Sequence, residues 1–306
     1  MQFRGSFVAL ATPFHPSGRF DGPSLERLVE WHIAEGTEGI VCSGATGEAT
    51  CLSEADRRRI LEICVKTAAG RIPILAGTGT PSTAETIRLT KQALAGGASG
   101  CLVITPFYNK PSQRGCILHY KEVAKVGLPV VVYHNPGRTQ VVLRPETLAE
   151  IGAMAGIAAV KDSSGDREWV RQFRAISSLR ILSGEDWLTY EILQMGGSGT
   201  ISTVGNLNPR AWTKMIRLAL QGNWEEARAI SDRFQPLCRA IFQETNPQCV
   251  KYALGLMGKC SSTLRLPLVL PTEETKQHIK RVWLQLALPF STAPSPGKRP
   301  VAPSGR

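Results

Sequence analysis

Residues 156–165 read Gly-Ile-Ala-Ala-Val-Lys-Asp-Ser-Ser-Gly, and this stretch decides how the chain is interpreted. Small and β-branched residues followed by a turn signal are typical of a buried strand. The stretch therefore predicts a strand whose carboxyl end carries Lys161. Burial disfavours the charged ammonium, and a free amine attacks carbonyl carbon, so Lys161 is a candidate Schiff-base lysine. The alternative, more common for a lone lysine, is a side chain that extends past the strand end into solvent.

Similar apolar segments recur along the chain and alternate with longer amphipathic segments. Strands are predicted near residues 7–11, 39–43, 73–76, 100–104, 129–133, 157–161, 180–183 and 199–202. Helices are predicted at about 24–36, 53–69, 81–97, 112–126, 144–154, 166–177, 186–195 and 208–221. Alternating strands and helices imply a parallel sheet, and eight such units fit an α/β fold of the (β/α)8 TIM-barrel type. The rival, a doubly wound sheet, rarely contains eight regular units.

The pattern divides the chain into three parts. Residues 1–222 form the predicted barrel and catalytic domain. Residues 223–290 read as a helical C-terminal extension, with helices at about 223–243, 247–258 and 273–288. Residues 291–306 are rich in Pro, Ser and Gly, which predicts a disordered tail.

Composition narrows the possible functions. The 306 residues are 42% hydrophobic, enough for a large core, and no run of about 18 apolar residues or signal peptide is apparent. Eight cysteines without a Cys-x-x-Cys pair indicate reduced thiols in a cytoplasmic protein, and no zinc-ligand spacing is seen. The net charge of +11 suits nucleic acid or small anionic substrates. Basic residues are dispersed and no nucleic-acid motif occurs, so we expect anionic substrates and no nucleic-acid or membrane partner.

Three motifs follow predicted strands, where a barrel of this type carries its chemistry. Residues 43–48, Ser-Gly-Ala-Thr-Gly-Glu, could hold a carboxylate on backbone N–H groups and a hydroxyl, or form an ordinary tight turn. Residues 105–111, Thr-Pro-Phe-Tyr-Asn-Lys-Pro, could be a proline-stiffened loop. In residues 133–139, Tyr-His-Asn-Pro-Gly-Arg-Thr, Tyr133 is either a core aromatic or a proton-transfer phenol. Arg138 is either solvated or a carboxylate ligand.

Together these motifs resemble the pyruvate-dependent class I aldolase superfamily that includes N-acetylneuraminate lyase and the dihydrodipicolinate synthases. The resemblance covers about residues 3–290 and includes the runs at 77–79, 246–247 and 264–267. Residues 105–111 and the Arg138-Thr139 pair are most similar to the dihydrodipicolinate synthases. The resemblance implies a lyase that condenses pyruvate with aspartate 4-semialdehyde in lysine and diaminopimelate biosynthesis. Another pyruvate-dependent 2-keto acid aldolase, or a catalytically weak paralogue, stays open as an alternative.

The resemblance also implies catalytic roles. Lys161 forms a Schiff base with pyruvate, and Tyr133 relays protons during imine formation. Tyr108 reaches into a neighbouring subunit's site, so a homotetramer built as a dimer of dimers is expected. Because a protonated imine is itself an electron sink, the chemistry requires no metal or organic cofactor.

The implied substrate-binding residues come from several strand ends. Thr46 and the nearby backbone amides, including that of Ala45, hold the pyruvate carboxylate. Arg138 binds the carboxylate of the second substrate. Gly184 and Ile201 contribute backbone near the nucleophilic carbon.

The chain departs from the family pattern at two places in the site. Family synthases usually carry a threonine at the position of Ala45, where its hydroxyl links two tyrosines in a proton relay. The relay is therefore incomplete unless a water or Ser43 substitutes for that hydroxyl. Residues 133–140 also differ, because the family usually reads Tyr-Asn-x-Pro-x-Arg-Thr-Gly where this chain has His134 and Gln140. The altered loop bears on which aldehyde is used.

A third departure concerns inhibition by lysine. Feedback-sensitive members bind lysine through an asparagine, a glutamate and a tyrosine, and the matching residues here are Pro81, Glu85 and Phe107. Arg57 stands where a histidine is common and would repel the ammonium of lysine. We therefore expect weak or absent inhibition by lysine.

Overall fold

The structure, a computed structural model, describes residues 3–286 and contains a closed eight-stranded parallel barrel. The strands are β1 Gly5–Ala9, β2 Gly39–Cys42, β3 Ile74–Gly77, β4 Gly100–Ile104, β5 Val130–His134, β6 Ile157–Asp162, β7 Arg180–Ser183 and β8 Gly199–Ser202. Each strand pairs with its sequence neighbours, and β8 returns to β1. The predicted (β/α)8 fold is confirmed. The predicted tail at 291–306 lies outside the described residues.

Helices connect the strands and continue after β8. The barrel helices are α1 Gly22–Ala34, α2 Glu54–Ala68, α3 Thr83–Ala95, α4 Gln113–Ala124, α5 Pro136–Thr139, α6 Pro145–Gly152, α7 Arg167–Ile176, α8 Thr189–Gln194 and α9 Pro209–Leu220. The extension contains α10 Trp224–Ile241, α11 Gln248–Leu256 and α12 Glu273–Gln285. Single 3-10 turns occur at Ala49–Cys51, Asp186–Leu188 and Val204–Asn206.

Helix starts follow the capping signals in the sequence. The Ser53 side chain accepts from the backbone N–H of Asp56, whose carboxylate accepts from Ser53 in return, which closes a capping box at α2. Ser82 caps α3, its side chain accepting from the backbone N–H of Glu85, and Gly96 ends the helix. Two features were not predicted. The four-residue helix α5 is too short to show periodicity, and the predicted helix at 186–195 begins as a 3-10 turn.

Two apolar layers build the barrel. Inward-facing strand residues such as Phe7, Val131 and Leu182 fill the interior, while the outward-facing residues pack under the helices. The barrel closes where β1 meets β8, and a Cβ on Gly199 would collide with the backbone of Gly5, so only glycine fits there.

The extension packs onto the barrel. Helix α10 lies against α9 and α12, and its buried residues belong to the same apolar cluster as the outer layer of the barrel. All eight cysteines are free thiols, and seven of them are buried. Among residues 3–286, every helix is too short or too polar to cross a membrane.

Candidate active site

Lys161 and Tyr133 lie side by side at the carboxyl ends of β6 and β5. The two residues are paired across the strands, and both are buried. The Lys161 Nζ lies 4.3 Å from the centroid of the Tyr133 ring. Among residues 3–286, no carboxylate lies within 4 Å of this amine. The predicted strand-end lysine is therefore buried rather than extended into solvent, and no carboxylate of the described residues forms an ion pair with it.

A buried His134–Asp162 pair connects β5 and β6 one residue beyond Tyr133 and Lys161. His134 Nδ1 lies 2.8 Å from Asp162 Oδ1, and the backbone N–H of Leu143 donates to His134 Nε2. Because Nε2 accepts that bond, the ring proton lies on Nδ1, which donates to the carboxylate. The His134 ring also packs on Trp169 at 4.5 Å between centroids. This pair holds β5 against β6 directly beside Tyr133 and Lys161.

Gly184 packs against the Lys161 side chain from β7. A Cβ at this position would lie 2.7 Å from Lys161 Cε and would also collide with Ser163 Oγ. Position 184 therefore tolerates no side chain while the lysine keeps its place. Ser163 Oγ is buried without a hydrogen-bond partner among residues 3–286, and the residue lines a cavity at the carboxyl end of the barrel. Its hydroxyl is free to bind a polar group of a ligand.

The loop after β2 is held by residues from distant parts of the chain. The Asn246 side-chain amide donates to Thr46 Oγ1 at 2.9 Å, and Thr203 Oγ1 lies 3.4 Å away. Because Thr46 Oγ1 accepts from Asn246, its own hydrogen can be donated either to Thr203 Oγ1 or to a ligand. Two backbone N–H groups, of Thr203 and Val204, donate to the buried carboxylate of Asp186 and fix that neighbouring loop.

These side chains surround a cavity of about 790 Å³ at the carboxyl end of the barrel. Arg138, on α5, is exposed at its mouth and donates through Nη2 to the carbonyl oxygen of Asn246 at 2.9 Å. Most of its donor groups remain open to an anion that enters the cavity.

Glu185 adds a second titratable group to the cavity wall. Burial raises the pKa of its carboxyl to about 7, and the neighbouring Asp186 contributes in the same direction. Trp187 Nε1 donates to Glu185 Oε2 at 3.1 Å and, together with the charge of Lys161, opposes the shift. The cavity thus contains a carboxyl group that titrates near neutral pH.

Six of the predicted site residues meet in this cavity, and two do not. The six that line it are Lys161, Tyr133, Thr46, Ala45, Arg138 and Gly184. Ile201 is fully buried in the barrel interior and does not line the cavity. Tyr108 is 91% exposed, with a left-handed φ of 70°, and also lies outside the cavity. The expectation that Tyr108 completes a neighbouring subunit's site stays a prediction.

Several polar residues that line the cavity were not predicted as site residues, among them Asn135, Glu185 and Asn246. Asn135 lies inside the motif at 133–139, and this position could have indicated that it belongs to the site. Asn246 was noted only as part of the resemblance, and nothing local connects it with Thr46, 200 positions earlier. Glu185 follows Gly184 directly, and its burial depends on how the β7 loop packs.

A second cavity, of about 540 Å³, contains the four positions considered for lysine binding. The Glu85 carboxylate accepts two hydrogen bonds from Arg88, at 2.7 and 2.8 Å. Both Nη atoms of Arg57 donate to loop carbonyl oxygens, of Gly77 and Ala49. The Glu85 carboxylate, which would receive an ammonium group, is thus already paired with Arg88. Weak or absent inhibition by lysine stays a prediction.

A second buried lysine lies behind the β2 loop. Lys251, on α11, places its Nζ 2.7 Å from Glu48 Oε1, and both side chains are fully buried. The other oxygen of Glu48 accepts from the backbone N–H of Arg265 at 2.9 Å. This ion pair ties the loop that carries Thr46 to the helical extension.

A buried amine without a carboxylate partner, beside a buried phenol at the carboxyl end of a (β/α)8 barrel, defines a lysine-dependent lyase of the aldolase type. The comparison with family models narrows this class. Residues 2–286 match the model of the dihydrodipicolinate synthetase family, and the chain belongs to that family.

Relatives cover nearly the whole chain. It is 41% identical over 283 residues to the 4-hydroxy-tetrahydrodipicolinate synthase of Thermodesulfovibrio yellowstonii, spanning 92% of this chain and 97% of the relative. It is 42% identical over 291 residues to the enzyme of that name from Rhodospirillum centenum, spanning 94% and 99%. The crystal structure of the dihydrodipicolinate synthase of Acinetobacter baumannii complexed with pyruvate superposes with a TM-score of 0.92 at 36% identity, covering 94% and 100%.

Proposed function

We propose that this chain is a lyase that condenses pyruvate with L-aspartate 4-semialdehyde to 4-hydroxy-tetrahydrodipicolinate, in lysine and diaminopimelate biosynthesis. The observation that carries the proposal is the buried Lys161 amine, which faces the cavity beside Tyr133 without an acid partner. The names of the relatives and the pyruvate complex of the A. baumannii structure support the same reaction.

The first half of the reaction is covalent capture of pyruvate. The Lys161 amine attacks the ketone carbon, and the carbonyl oxygen leaves as water after two proton transfers, in which Tyr133 is the nearest phenol. Thr46 Oγ1 and the backbone N–H groups of its loop donate to the pyruvate carboxylate. The protonated imine then withdraws electrons, so the methyl group loses a proton. The imine thereby becomes an enamine, and the former methyl carbon is its nucleophile.

The second half joins the two substrates. The enamine carbon attacks the aldehyde carbon, and the aldehyde oxygen takes up a proton. The amino group of the semialdehyde then attacks the imine carbon, closes a ring and displaces the Lys161 amine. Arg138, open at the mouth of the cavity, binds the carboxylate of this second substrate. Since the imine is the electron sink, the reaction needs no metal or organic cofactor.

The proposed assembly is a homotetramer in the cytoplasm. Tyr108 is nearly fully exposed, and its strained left-handed backbone is the kind of feature that a partner contact stabilises. Large apolar side chains such as Leu266 and Val269 are also exposed. Sedimentation velocity is expected to give a tetramer, and a Tyr108→Ala variant is expected to lower turnover without changing Lys161. A fully active monomer would contradict this assembly.

Hydride trapping tests the reaction. After incubation with pyruvate and borohydride, mass spectrometry is expected to find one reduced pyruvate adduct, on Lys161. Lys161→Met supplies the control that cannot form it. A coupled assay with a set of aldehydes then identifies the second substrate, with aspartate 4-semialdehyde expected to react fastest. Absence of the adduct contradicts the proposal, and preference for another aldehyde assigns the chain to a different 2-keto acid aldolase.

A further inference from the structure

The Tyr133 hydroxyl receives a hydrogen bond from its own loop. Asn135 is buried, and its side-chain Nδ2 donates to Tyr133 Oη at 2.8 Å. The orientation of this amide is fixed from its other end, because Asn135 Oδ1 accepts from the backbone N–H of Arg138 at 3.0 Å. A backbone N–H can only donate, so the atom that faces it is the oxygen and the atom that faces the phenol is the NH2 group.

The loop after β2 makes no comparable contact. Position 45 is an alanine, and Ser43 Oγ is buried without a hydrogen-bond partner among residues 3–286. Within that part of the chain, the Asn135 amide makes the only hydrogen bond to the Tyr133 hydroxyl. In this structure Ser43 therefore does not take the place of the missing hydroxyl, and the donor to the phenol oxygen is Asn135.

We propose that Asn135 is a positioning residue for Tyr133, in place of the hydroxyl that position 45 lacks. The amide donates to the phenol oxygen but cannot take up and release a proton as a hydroxyl does. It therefore works by orientation: since Oη accepts from Asn135, the phenol's own hydrogen points into the cavity, toward the carbon that Lys161 captures. Once that proton is given up, the same N–H stabilises the phenolate. This inference rests on the proposed function.

The charges around the phenol agree with this role. Burial raises the pKa of Tyr133, but the charges of Lys161 and Arg138 and the Asn135 hydrogen bond outweigh it, so the pKa lies below the ordinary value of 10. Glu185 opposes them from the β7 loop. Loss of the amide donor should therefore raise the pKa of Tyr133 while the other charged groups stay in place.

Asn135→Asp separates the two functions of the asparagine. The aspartate keeps an oxygen that accepts from Arg138 N–H, and aspartate is as good an N-cap as asparagine, so α5 stays capped. It replaces the donor beside Tyr133 with a carboxylate, whose negative charge raises the pKa of Tyr133 in the same direction as the lost hydrogen bond. We expect kcat/KM for pyruvate to fall about 10- to 100-fold, the size of a lost hydrogen bond to a charged group. The limb of the pH profile that disappears in Tyr133→Phe should move up by about one unit.

A matched control is available elsewhere in the barrel. Asn208 caps α9 in the same way, its side chain accepting from Ala211 N–H, and it lies outside the cavity. Asn208→Asp is expected to leave both kcat/KM and the pH profile as they are in the wild type. A purely capping role for Asn135 predicts that its aspartate variant behaves in the same way, which would overturn the inference.

A double-mutant cycle tests the replacement of the hydroxyl. If Asn135 serves in place of the hydroxyl at position 45, then Ala45→Thr should raise the activity of Asn135→Ala by a larger factor than it changes the wild type. Equal factors in the two backgrounds would contradict the inference. Hydride trapping of each variant keeps the two proposals apart. No adduct in the wild type overturns the proposed function, whereas a normal adduct with unaffected Asn135 variants overturns only the role of Asn135.

Discussion

Two lysines are buried among residues 3–286, and they differ in whether a carboxylate pairs with the amine. Lys161 is 5% exposed and Lys251 is 0% exposed. Each amine lies over an aromatic ring, of Tyr133 at 4.3 Å and of Phe14 at 4.2 Å. Lys251 is paired with Glu48 at 2.7 Å, whereas Lys161 has no acid within 4 Å among residues 3–286.

Burial is common to both lysines, so the carboxylate partner is the feature that distinguishes Lys251 from the proposed Schiff-base lysine, Lys161. Burial lowers the pKa of Lys251, and the attraction of Glu48 opposes this shift. The pair holds two distant parts of the chain together. The Lys161 amine lies beside the phenol of Tyr133 and lines a cavity together with Ser163, whose hydroxyl has no hydrogen-bond partner among residues 3–286. It is therefore free to form a bond with a ligand.

The largest expected effect comes from Lys161→Met. Capture of pyruvate and turnover should both be lost, the latter by at least about 10³-fold, because no other amine of residues 3–286 lines the cavity. The free energy of unfolding should stay the same or rise, since an apolar side chain replaces an unpaired buried amine. Trapping and urea denaturation measure the two quantities. Marked destabilisation would mean that Lys161 is structural in the same sense as Lys251.

Lys251→Met should have the opposite profile. It leaves Glu48 buried without its partner, which typically costs about 3–5 kcal/mol of unfolding free energy. The folded fraction should still form the pyruvate adduct on Lys161. Adding Glu48→Gln removes the uncompensated charge, and urea denaturation should then show recovery of a substantial part of the loss. Equal stability of the single and double variants would contradict the assignment of this pair.

The Glu185→Gln variant tests whether Glu185, which lines the cavity, is an ion-pair partner of Lys161. The folded pKa of about 7 lies above the ordinary value of 4.5, so the unfolded chain ionises first as pH rises. The glutamate therefore costs stability progressively between about pH 4.5 and 7. The glutamine variant should match the wild type below pH 4.5 and exceed it by about 1–3 kcal/mol above pH 7. A loss of stability at pH 8 would instead make Glu185 a partner in the manner of Glu48.

The smallest expected effect is the response to lysine. Glu85 already receives two hydrogen bonds from Arg88, so it offers little to a second cation. Turnover assays with added lysine should show weak or no inhibition. Arg88→Met frees the carboxylate and should increase whatever sensitivity exists. Half-inhibition of the wild type at submillimolar lysine would contradict this expectation.

The sequence predicted the barrel well because each βα unit is specified locally. Every strand was placed within three residues of its observed bounds, since apolar runs and capping residues such as Ser53 and Ser82 act over a few positions. Short elements such as α5 were not predicted, because four residues cannot display a helical period.

Contacts across the chain were the part that the sequence did not reveal. Lys161 and Tyr133 were identified at strand ends, but nothing local indicates that Asn246 donates to Thr46 or that Lys251 pairs with Glu48. The direction of the Asn135 amide depends on the geometry of α5 and was likewise out of reach. His134 was noted only as a departure from a pattern, and its pairing with Asp162 required the register of β5 against β6.

The contacts that join the β2 loop to the helical extension can form only late in synthesis of the chain. A ribosome that has completed β8 at Ser202 has made every strand, yet Asn246, Lys251 and Arg265 are still to be translated. Until they arrive, Thr46 lacks its donor and Glu48 lacks its counter-ion. A nascent barrel therefore lacks these contacts to the β2 loop, and it gains them only when residues 246–265 dock.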